Sequence, residues 1–240
     1  MIKMNYEYVN NNSGITVVFL HGWGLNGDSF NKIISGLNGN FSILKVDLPG
    51  FGRSQNAKDY FDTHEYAYQI FLLLNKINIK NIILVGHSFG GRLAILLTSI
   101  YNINVSNLIL TSSAGINRFD IKKWMKVKWF KFIKLLTKIK LIKEEKLKKY
   151  GSQDYKKLSS SMRQIFIKIV NQDLRKFVKK IHAKNIYLVW DKKDKDTPYF
   201  ICKKIYKLTK NSKIVLYKNG GHFVAFNNPN KFANLINCLV

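Results

Sequence analysis

Short apolar runs bounded by turn residues recur along the chain, and longer stretches with helical spacing separate them. Most of the runs are continuous rather than alternating, which is typical of strands covered on both faces of a parallel sheet. This alternation predicts an α/β fold built on a doubly wound, mostly parallel sheet. The predicted strands span residues 16–20, 41–46, 81–85, 105–110, 186–190 and 213–217, and the predicted helices span 64–77, 88–100, 198–208 and 229–239.

The strand-like runs stop between residues 110 and 186. Residues 118–184 show only helical spacing and dense charge, with 22 Lys and Arg against 5 Asp and Glu. With 240 residues, 46% of them hydrophobic, the chain has room for one sizeable core and an inserted lid but hardly for two full domains. We therefore expect an α/β core of residues 1–117 and 185–240, interrupted by a helical cap of residues 118–184.

The net charge of +26 is the outlier of the composition, and it would ordinarily indicate a polyanionic partner. Of the 40 cationic residues, however, 35 are lysines. Proteins that read bases or clamp phosphates favour arginine for its bidentate geometry. The excess of lysine therefore favours codon bias as the source of the charge, and nucleic acid is not an expected partner.

Location is predicted from what the sequence lacks. Its two cysteines are too few for a disulfide framework, which fits a reducing compartment. The first nine residues hold no apolar signal-peptide core, and no 18 apolar residues occur together. These features predict a cytoplasmic protein. Residues 121–142 alternate apolar and lysine positions, so they fit either a lid with a wet outer face, which we favour, or a helix on an anionic membrane.

The sharpest chemical signal is the segment Gly86-His87-Ser88-Phe89-Gly90. It follows an apolar run directly and opens a helical stretch, which is the strand-turn-helix context of a G-x-S-x-G nucleophile elbow. The turn presents the Ser88 hydroxyl at the carboxyl edge of the sheet. It also leaves the backbone N–H of Phe89 free to stabilise an oxyanion.

A serine nucleophile needs a base, and that base needs an orienting acid. His222 is the best candidate base because it lies in a glycine-rich loop after the last predicted strand, whereas structural or solvated roles fit the other four histidines better. Asp191, Asp194 and Asp196 compete for the acid in the loop after the strand at 186–190. Spacing before Pro198 favours Asp194.

The loop after the first predicted strand reads His21-Gly22-Trp23-Gly24. Its glycines allow the backbone to approach a substrate oxygen closely. The backbone N–H of Trp23 is therefore the candidate second oxyanion donor, and the indole of Trp23 is a candidate apolar wall.

Together, these motifs and the turn at residues 47–54 resemble the α/β-hydrolase superfamily over nearly the whole chain. The resemblance implies Ser88 as nucleophile, His222 as base and Asp194 as acid, with the amides of Trp23 and Phe89 as the oxyanion hole. It also implies a cap at the long insertion, and it assigns Ser54 to a structural turn. One departure is Asp191, which stands where the family usually has glycine.

The predicted function is that of a serine hydrolase that cleaves a small-molecule carboxylic ester, or a related acyl or C–C bond, through an acyl-enzyme. No metal or organic cofactor is needed for this chemistry. Two alternatives stay open. The first is a carboxylesterase acting on an ester carried by acyl-carrier protein, because residues 21–26 and 47–54 are similar to that group of enzymes. The second is a non-catalytic protein whose basic cap binds a polyanion or a membrane surface.

Overall fold

A computed structural model describes residues 2–117 and 160–239 of the chain. Its centre is a sheet of seven strands in the order β1-β3-β2-β4-β5-β6-β7. The strands are β1 (Tyr6–Val9), β2 (Thr16–Leu20), β3 (Ser42–Val46), β4 (Asn81–His87), β5 (Asn104–Thr111), β6 (Asn185–Trp190) and β7 (Ser212–Leu216). Every neighbouring pair is parallel except β1 with β3. The predicted α/β fold with a mostly parallel sheet is therefore confirmed.

Seven α-helices are described around this sheet. They are α1 (Asn31–Ile34), α2 (Thr63–Lys76), α3 (Phe89–Ile100), α4 (Ser160–Asn171), α5 (Arg175–Val178), α6 (Tyr199–Leu208) and α7 (Pro229–Asn237). Short 3₁₀ turns at Gly27–Phe30 and Gly221–Phe223 complete the described elements. The helices predicted at 64–77, 88–100, 198–208 and 229–239 correspond to α2, α3, α6 and α7.

Alternate residues of each central strand face opposite layers, because successive side chains of a strand point to opposite faces. In β2, Val18 and Leu20 belong to the larger core, which lies against α2, α3 and α6. Val17 and Phe19 belong to the second core, which lies against α1 and α7. Both sets are fully buried, which explains why this strand is a continuous apolar run in the sequence.

The sequence pattern missed β1, the antiparallel edge strand. Its four residues are mostly exposed, so they carry no continuous apolar run. Pairing with β3, from Tyr6 opposite Val46 to Val9 opposite Ile43, defines this strand. Tertiary hydrogen bonding therefore decides its conformation.

The described residues stop at Asn117, after β5, and resume with α4. Hydrogen bonds join the residues on the two sides of this gap: the Asn117 N–H donates to Asp173 Oδ2 at 3.1 Å, and the Leu174 N–H donates to the Gly115 carbonyl at 2.7 Å. The buried Arg92 of α3 donates to the Gln172 carbonyl at 2.8 Å. The predicted amphipathic segment 121–142 lies outside the described residues, and the cap boundaries 118–184 stay a prediction.

In the described ranges, no helix combines the length and the apolar character that a membrane crossing requires.

Candidate active site

The candidate site lies at the carboxyl edge of the sheet, where the loops after β2, β4, β6 and β7 converge. Strand register sets this edge: His87 pairs with Thr111, Thr111 pairs with Val189, and Trp190 pairs with Leu216. Because these parallel strands end level with one another, the residues that follow them are brought to one place.

Ser88 occupies the sharp turn between β4 and α3, with φ +49° and ψ −105°. A non-glycine residue rarely adopts this region, so the conformation must be imposed by the neighbouring structure. Two backbone hydrogen bonds help to impose it, from the Ser88 N–H to the Thr111 carbonyl and from the Ala114 N–H to the Ser88 carbonyl, both at 3.1 Å. A Cβ on Gly90 would meet the Leu20 carbonyl of β2, so only glycine permits this approach of α3 to the sheet.

His222 links Ser88 to Asp194 in a chain of hydrogen bonds. Its Nε2 lies 3.0 Å from Ser88 Oγ, and its Nδ1 lies 3.2 Å from Asp194 Oδ2. Since a carboxylate only accepts, the Nδ1–H donates to Asp194 and leaves Nε2 to accept the Ser88 proton. The His222 side chain is 14% exposed and that of Asp194 is 0% exposed. The three predicted residues are therefore adjacent, in the arrangement that serine hydrolases use.

The three aspartates of this loop have different surroundings. Asp194 contacts the imidazole, whereas the carboxylate of Asp191 accepts from the backbone N–H groups of Gly220, Gly221 and Lys193, all at 2.9 Å. The side chain of Asp196 is exposed. Spacing before Pro198 favours Asp194, and the contacts of the three carboxylates agree with that choice.

Sequence reasoning missed Thr197. Its buried hydroxyl lies 2.8 Å from Asp194 Oδ2, 2.9 Å from the Ser112 carbonyl and 3.2 Å from His222 Nδ1. Its backbone N–H donates to Asp194 Oδ1 at 2.9 Å. The sequence did hold a signal for this contact. An aspartate side chain often accepts from the backbone N–H groups two and three residues later, and Thr197 is three residues after Asp194.

These contacts favour the ionised form of Asp194. Burial by itself would raise the pKa of this carboxyl, but the hydrogen bonds from His222 and Thr197 outweigh burial and lower the pKa below its usual value. A carboxylate held ionised in a buried position can both orient the imidazole and stabilise its protonated form.

Trp23 and Phe89, the two predicted oxyanion donors, lie side by side. Their rings contact edge to face with centroids 5.4 Å apart. Within residues 2–117 and 160–239, neither backbone N–H donates a hydrogen bond to another residue. Among the described residues, both N–H groups are therefore available to a substrate oxygen, and the oxyanion hole stays a prediction.

His21 joins the loop of Trp23 to the turn at residues 47–54. Its Nδ1–H donates to the Gly22 carbonyl at 2.7 Å, and its Nε2 accepts from the Leu48 N–H at 2.9 Å. The Ser54 hydroxyl donates to the Asp47 carbonyl at 2.6 Å. Both side chains therefore have structural contacts, as the sequence reasoning expected.

His87 is the neighbour of His222 within the site, with ring centroids 5.0 Å apart. Its Nδ1–H donates to the Thr111 carbonyl at 3.2 Å. Burial, helped by repulsion from His222, lowers the pKa of His87 to about 3, and burial lowers the pKa of His21 to about 4. Groups with such low proton affinity are poor bases at neutral pH.

Helix α4 forms a wall of the site above the loop of Trp23. The ring centroid of Phe166 lies 5.1 Å from that of Trp23, and Phe51 contacts Trp23 from another side at 4.9 Å. Ile165 and Ile169 of the same helix are buried in the larger core. This part of the predicted insertion therefore supplies an apolar contact to the loop of Trp23.

One group of potential metal ligands occurs in the described part of the chain: Asp194, Asp196 and His222. Two of these residues already hydrogen bond each other, and His222 also contacts Ser88. Asp194 and His222 are thus committed to an arrangement suited to proton transfer, and we assign no metal to this group.

The alpha/beta hydrolase fold family model matches residues 15–132. Among similar proteins, the uncharacterized hydrolase YugF of Bacillus subtilis is 27% identical over 95% of this chain and 90% of its own length. The pimeloyl-[acyl-carrier protein] methyl ester esterase of Wigglesworthia glossinidia brevipalpis is 35% identical over 42% of this chain and 37% of its own. The structure of an esterase from Exiguobacterium antarcticum aligns with a TM-score of 0.75 and 21% identity, covering 99% of this chain and 96% of that one.

The sheet order, the strand-turn-helix elbow and these similarities define a hydrolase of the α/β class with esterase-like structural neighbours. The chain belongs to the α/β-hydrolase superfamily.

Acidification is expected to destabilise the folded protein through its two buried histidines. The pKa of each is near 6.5 in the unfolded chain, but it is about 4 for His21 and about 3 for His87 in the folded protein. Below pH 6.5 the unfolded chain therefore binds more protons than the native state does. The contribution of these two histidines to the free energy of unfolding is therefore complete above pH 6.5 and is lost progressively as the pH falls toward 4. A tenfold change in proton affinity is worth about 1.4 kcal/mol, so the total loss should reach several kcal/mol.

Urea unfolding followed from about pH 7.5 to pH 4.5 measures this loss. The His87→Gln variant should lose less stability over the same range, because one of the two groups is gone. Equal slopes for variant and wild type would show that His87 is not the group responsible.

Proposed function

We propose that this protein is a serine esterase in which Ser88, His222 and Asp194 form the catalytic triad. The observation that carries the proposal is the hydrogen-bonded chain from Ser88 Oγ through the imidazole to the buried carboxylate, at the strained turn after β4. A hydroxyl with a base at 3.0 Å is positioned for deprotonation during attack.

In the first half of the reaction, Ser88 Oγ attacks the carbonyl carbon of the ester and its proton passes to His222 Nε2. The tetrahedral intermediate then breaks its bond to the leaving alcohol, which takes the proton from the imidazole. In the second half, His222 removes a proton from water, and the hydroxide that forms attacks the acyl-enzyme. Release of the acid returns the proton to Ser88.

The backbone N–H groups of Trp23 and Phe89 bind the negative oxygen of each intermediate. Their side chains are adjacent, and the N–H groups donate to no described residue. A substrate oxygen can therefore accept from them without breaking a hydrogen bond to any described residue. One such donor is worth roughly 3 kcal/mol of barrier in other serine hydrolases.

The acyl group of the substrate is expected to be apolar where it meets the protein. Phe51 and Phe166 each contact Trp23, and Trp23 in turn contacts Phe89, the residue after Ser88. Such an apolar cluster favours hydrocarbon over charged groups. A small carboxylic ester with an apolar acyl portion fits this wall.

Replacing the nucleophile tests the proposal directly. Ser88→Ala should abolish hydrolysis of a p-nitrophenyl acyl ester and labelling by a fluorophosphonate probe, because no other described serine has His222 within hydrogen-bond distance. Ser54→Ala is the matched control: it removes a structural hydroxyl and should lose stability but keep its labelling. Undiminished turnover in Ser88→Ala would refute the triad. A wild type that shows neither turnover nor labelling would favour the non-catalytic alternative.

The assignment of the acid is tested by comparing two aspartates of one loop. Asp194→Asn should lower kcat by roughly a thousandfold to ten-thousandfold, because the amide no longer holds the imidazole in the productive tautomer. Asp196→Asn removes the same charge from an exposed neighbour and should lower kcat only a few-fold. The opposite order of effects would transfer the acid to Asp196.

An ester carried by acyl-carrier protein is the second candidate substrate, and the partial similarity to the pimeloyl-[acyl-carrier protein] methyl ester esterase favours it. Attachment to the acidic carrier should then raise kcat/KM at least tenfold over the free methyl ester, and the advantage should shrink as salt is added. Equal kcat/KM values for the two forms would leave the small-molecule ester as the substrate.

A further inference from the structure

The residues just before His222, Asn219-Gly220-Gly221, include two glycines and so have little side chain with which to hold the loop in place. Asn219 and Gly221 have φ values of +61° and +53°, and a Cβ on Gly220 would collide with the backbone of Val224. Two consecutive glycines lose more conformational freedom on folding than any other pair. The position of the imidazole therefore depends on what holds the backbone just before it.

Asp191 holds that backbone. Its Oδ2 accepts from the N–H groups of both Gly220 and Gly221 at 2.9 Å, and its Oδ1 accepts from the Lys193 N–H at 2.9 Å. The residue is only 4% exposed. In residues 2–117 and 160–239, no other acceptor takes either glycine N–H.

Other contacts of this loop involve its carbonyl side. Asn227 Nδ2 donates to the Gly220 carbonyl and Asn228 Nδ2 donates to the Lys218 carbonyl, both at 3.3 Å. These bonds are longer than those to Asp191 and involve neutral groups. Hydrogen bonds to a charged acceptor are roughly twice as strong as neutral ones, so Asp191 makes the strongest polar contacts of the loop backbone.

We propose that Asp191 is a positioning residue for His222, which acts by clamping the Gly220 and Gly221 amides. The inference rests on the proposed function, because it assigns His222 as the base. Asp194 orients the imidazole ring, and Asp191 fixes the backbone from which that ring projects. Both carboxylates come from one loop after β6, so they locate the base relative to the same part of the sheet.

The carboxylate is the feature that this role requires. One oxygen accepts two N–H groups while the other accepts a third, and an asparagine side chain would direct N–H donors at one of these sites. The φ of Asp191 is not in the left-handed region. A glycine, which the superfamily usually has here, would therefore be accommodated by the backbone but would leave both loop N–H groups without this acceptor.

The test compares Asp191→Ala and Asp191→Gly with Asp62→Ala. Asp62 also accepts two backbone N–H groups through one oxygen, at the start of α2, so its removal controls for general destabilisation. Both Asp191 variants should lower kcat by about 10-fold to 100-fold, since a displacement near 1 Å of a catalytic group has an effect of this order. Their KM should stay within about twofold, and Asp62→Ala should keep both constants within about twofold.

A double-variant cycle separates positioning from a structural role. Against an Asp194→Asn background, in which the imidazole is already misoriented, Asp191→Ala should cost less than in the wild type, because both changes act through His222. Equal costs in both backgrounds would overturn the proposal. So would kcat values for the Asp191 variants within twofold of the wild type, or a loss no larger than that of Asp62→Ala.

Amide hydrogen exchange reports on the clamp without any activity. The Gly220 and Gly221 amides should exchange at least tenfold faster in Asp191→Ala than in the wild type, while amides of α7 keep their rates. Unchanged exchange at the two glycines would overturn the clamp itself. A wild type that resists the fluorophosphonate probe, together with faster exchange of the two glycine amides in Asp191→Ala, would refute the esterase and leave the clamp in place.

Discussion

The parallel register of β4, β5, β6 and β7 is the constraint on which the candidate site depends. Ser88 and His222 are 134 residues apart in the sequence, yet their side chains are 3.0 Å apart. The three strand pairs end within one residue of one another, so the loops that follow share one edge. A shift of one residue in any of these registers would also exchange the buried faces of the strand, so the two cores enforce the alignment.

Close approach of backbone to backbone completes this geometry. The turn at Ser88 bonds to β5 through Thr111 and to the segment after β5 through Ala114. Glycine at position 90 lets α3 begin directly against the end of β2. The strained conformation of the nucleophile is thus held by secondary structure on both sides, and strain at a reactive residue needs such support to persist.

Electrostatics then separates the titratable groups of the site by role. Two histidines are buried with hydrogen-bonded Nδ1 atoms and low pKa values, which keeps them neutral. Asp194 and Asp191 are buried with several N–H donors each, and these hydrogen bonds lower the pKa of both carboxyls against the opposing effect of burial. Of the three imidazoles in this cluster, only that of His222 has a ring nitrogen hydrogen bonded to the Ser88 hydroxyl. The proposed chemistry uses this difference, since a base must be free to gain and lose a proton while its supports keep one charge state.

Local sequence patterns were sufficient to predict the α/β class, the strand-turn-helix elbow at Ser88 and the loops that carry Trp23, Asp194 and His222. These features follow from local periodicity and turn chemistry, which a single chain displays in order. Tertiary structure decided the rest. β1 forms because it pairs with β3. Thr197 belongs to the site because its hydroxyl contacts both the Ser112 carbonyl and Asp194. Asp191 and Asp194 differ in the groups that each contacts. Spacing before Pro198 could favour Asp194 among the three aspartates, but the role of each carboxylate depends on its partners across space, which a sequence does not display.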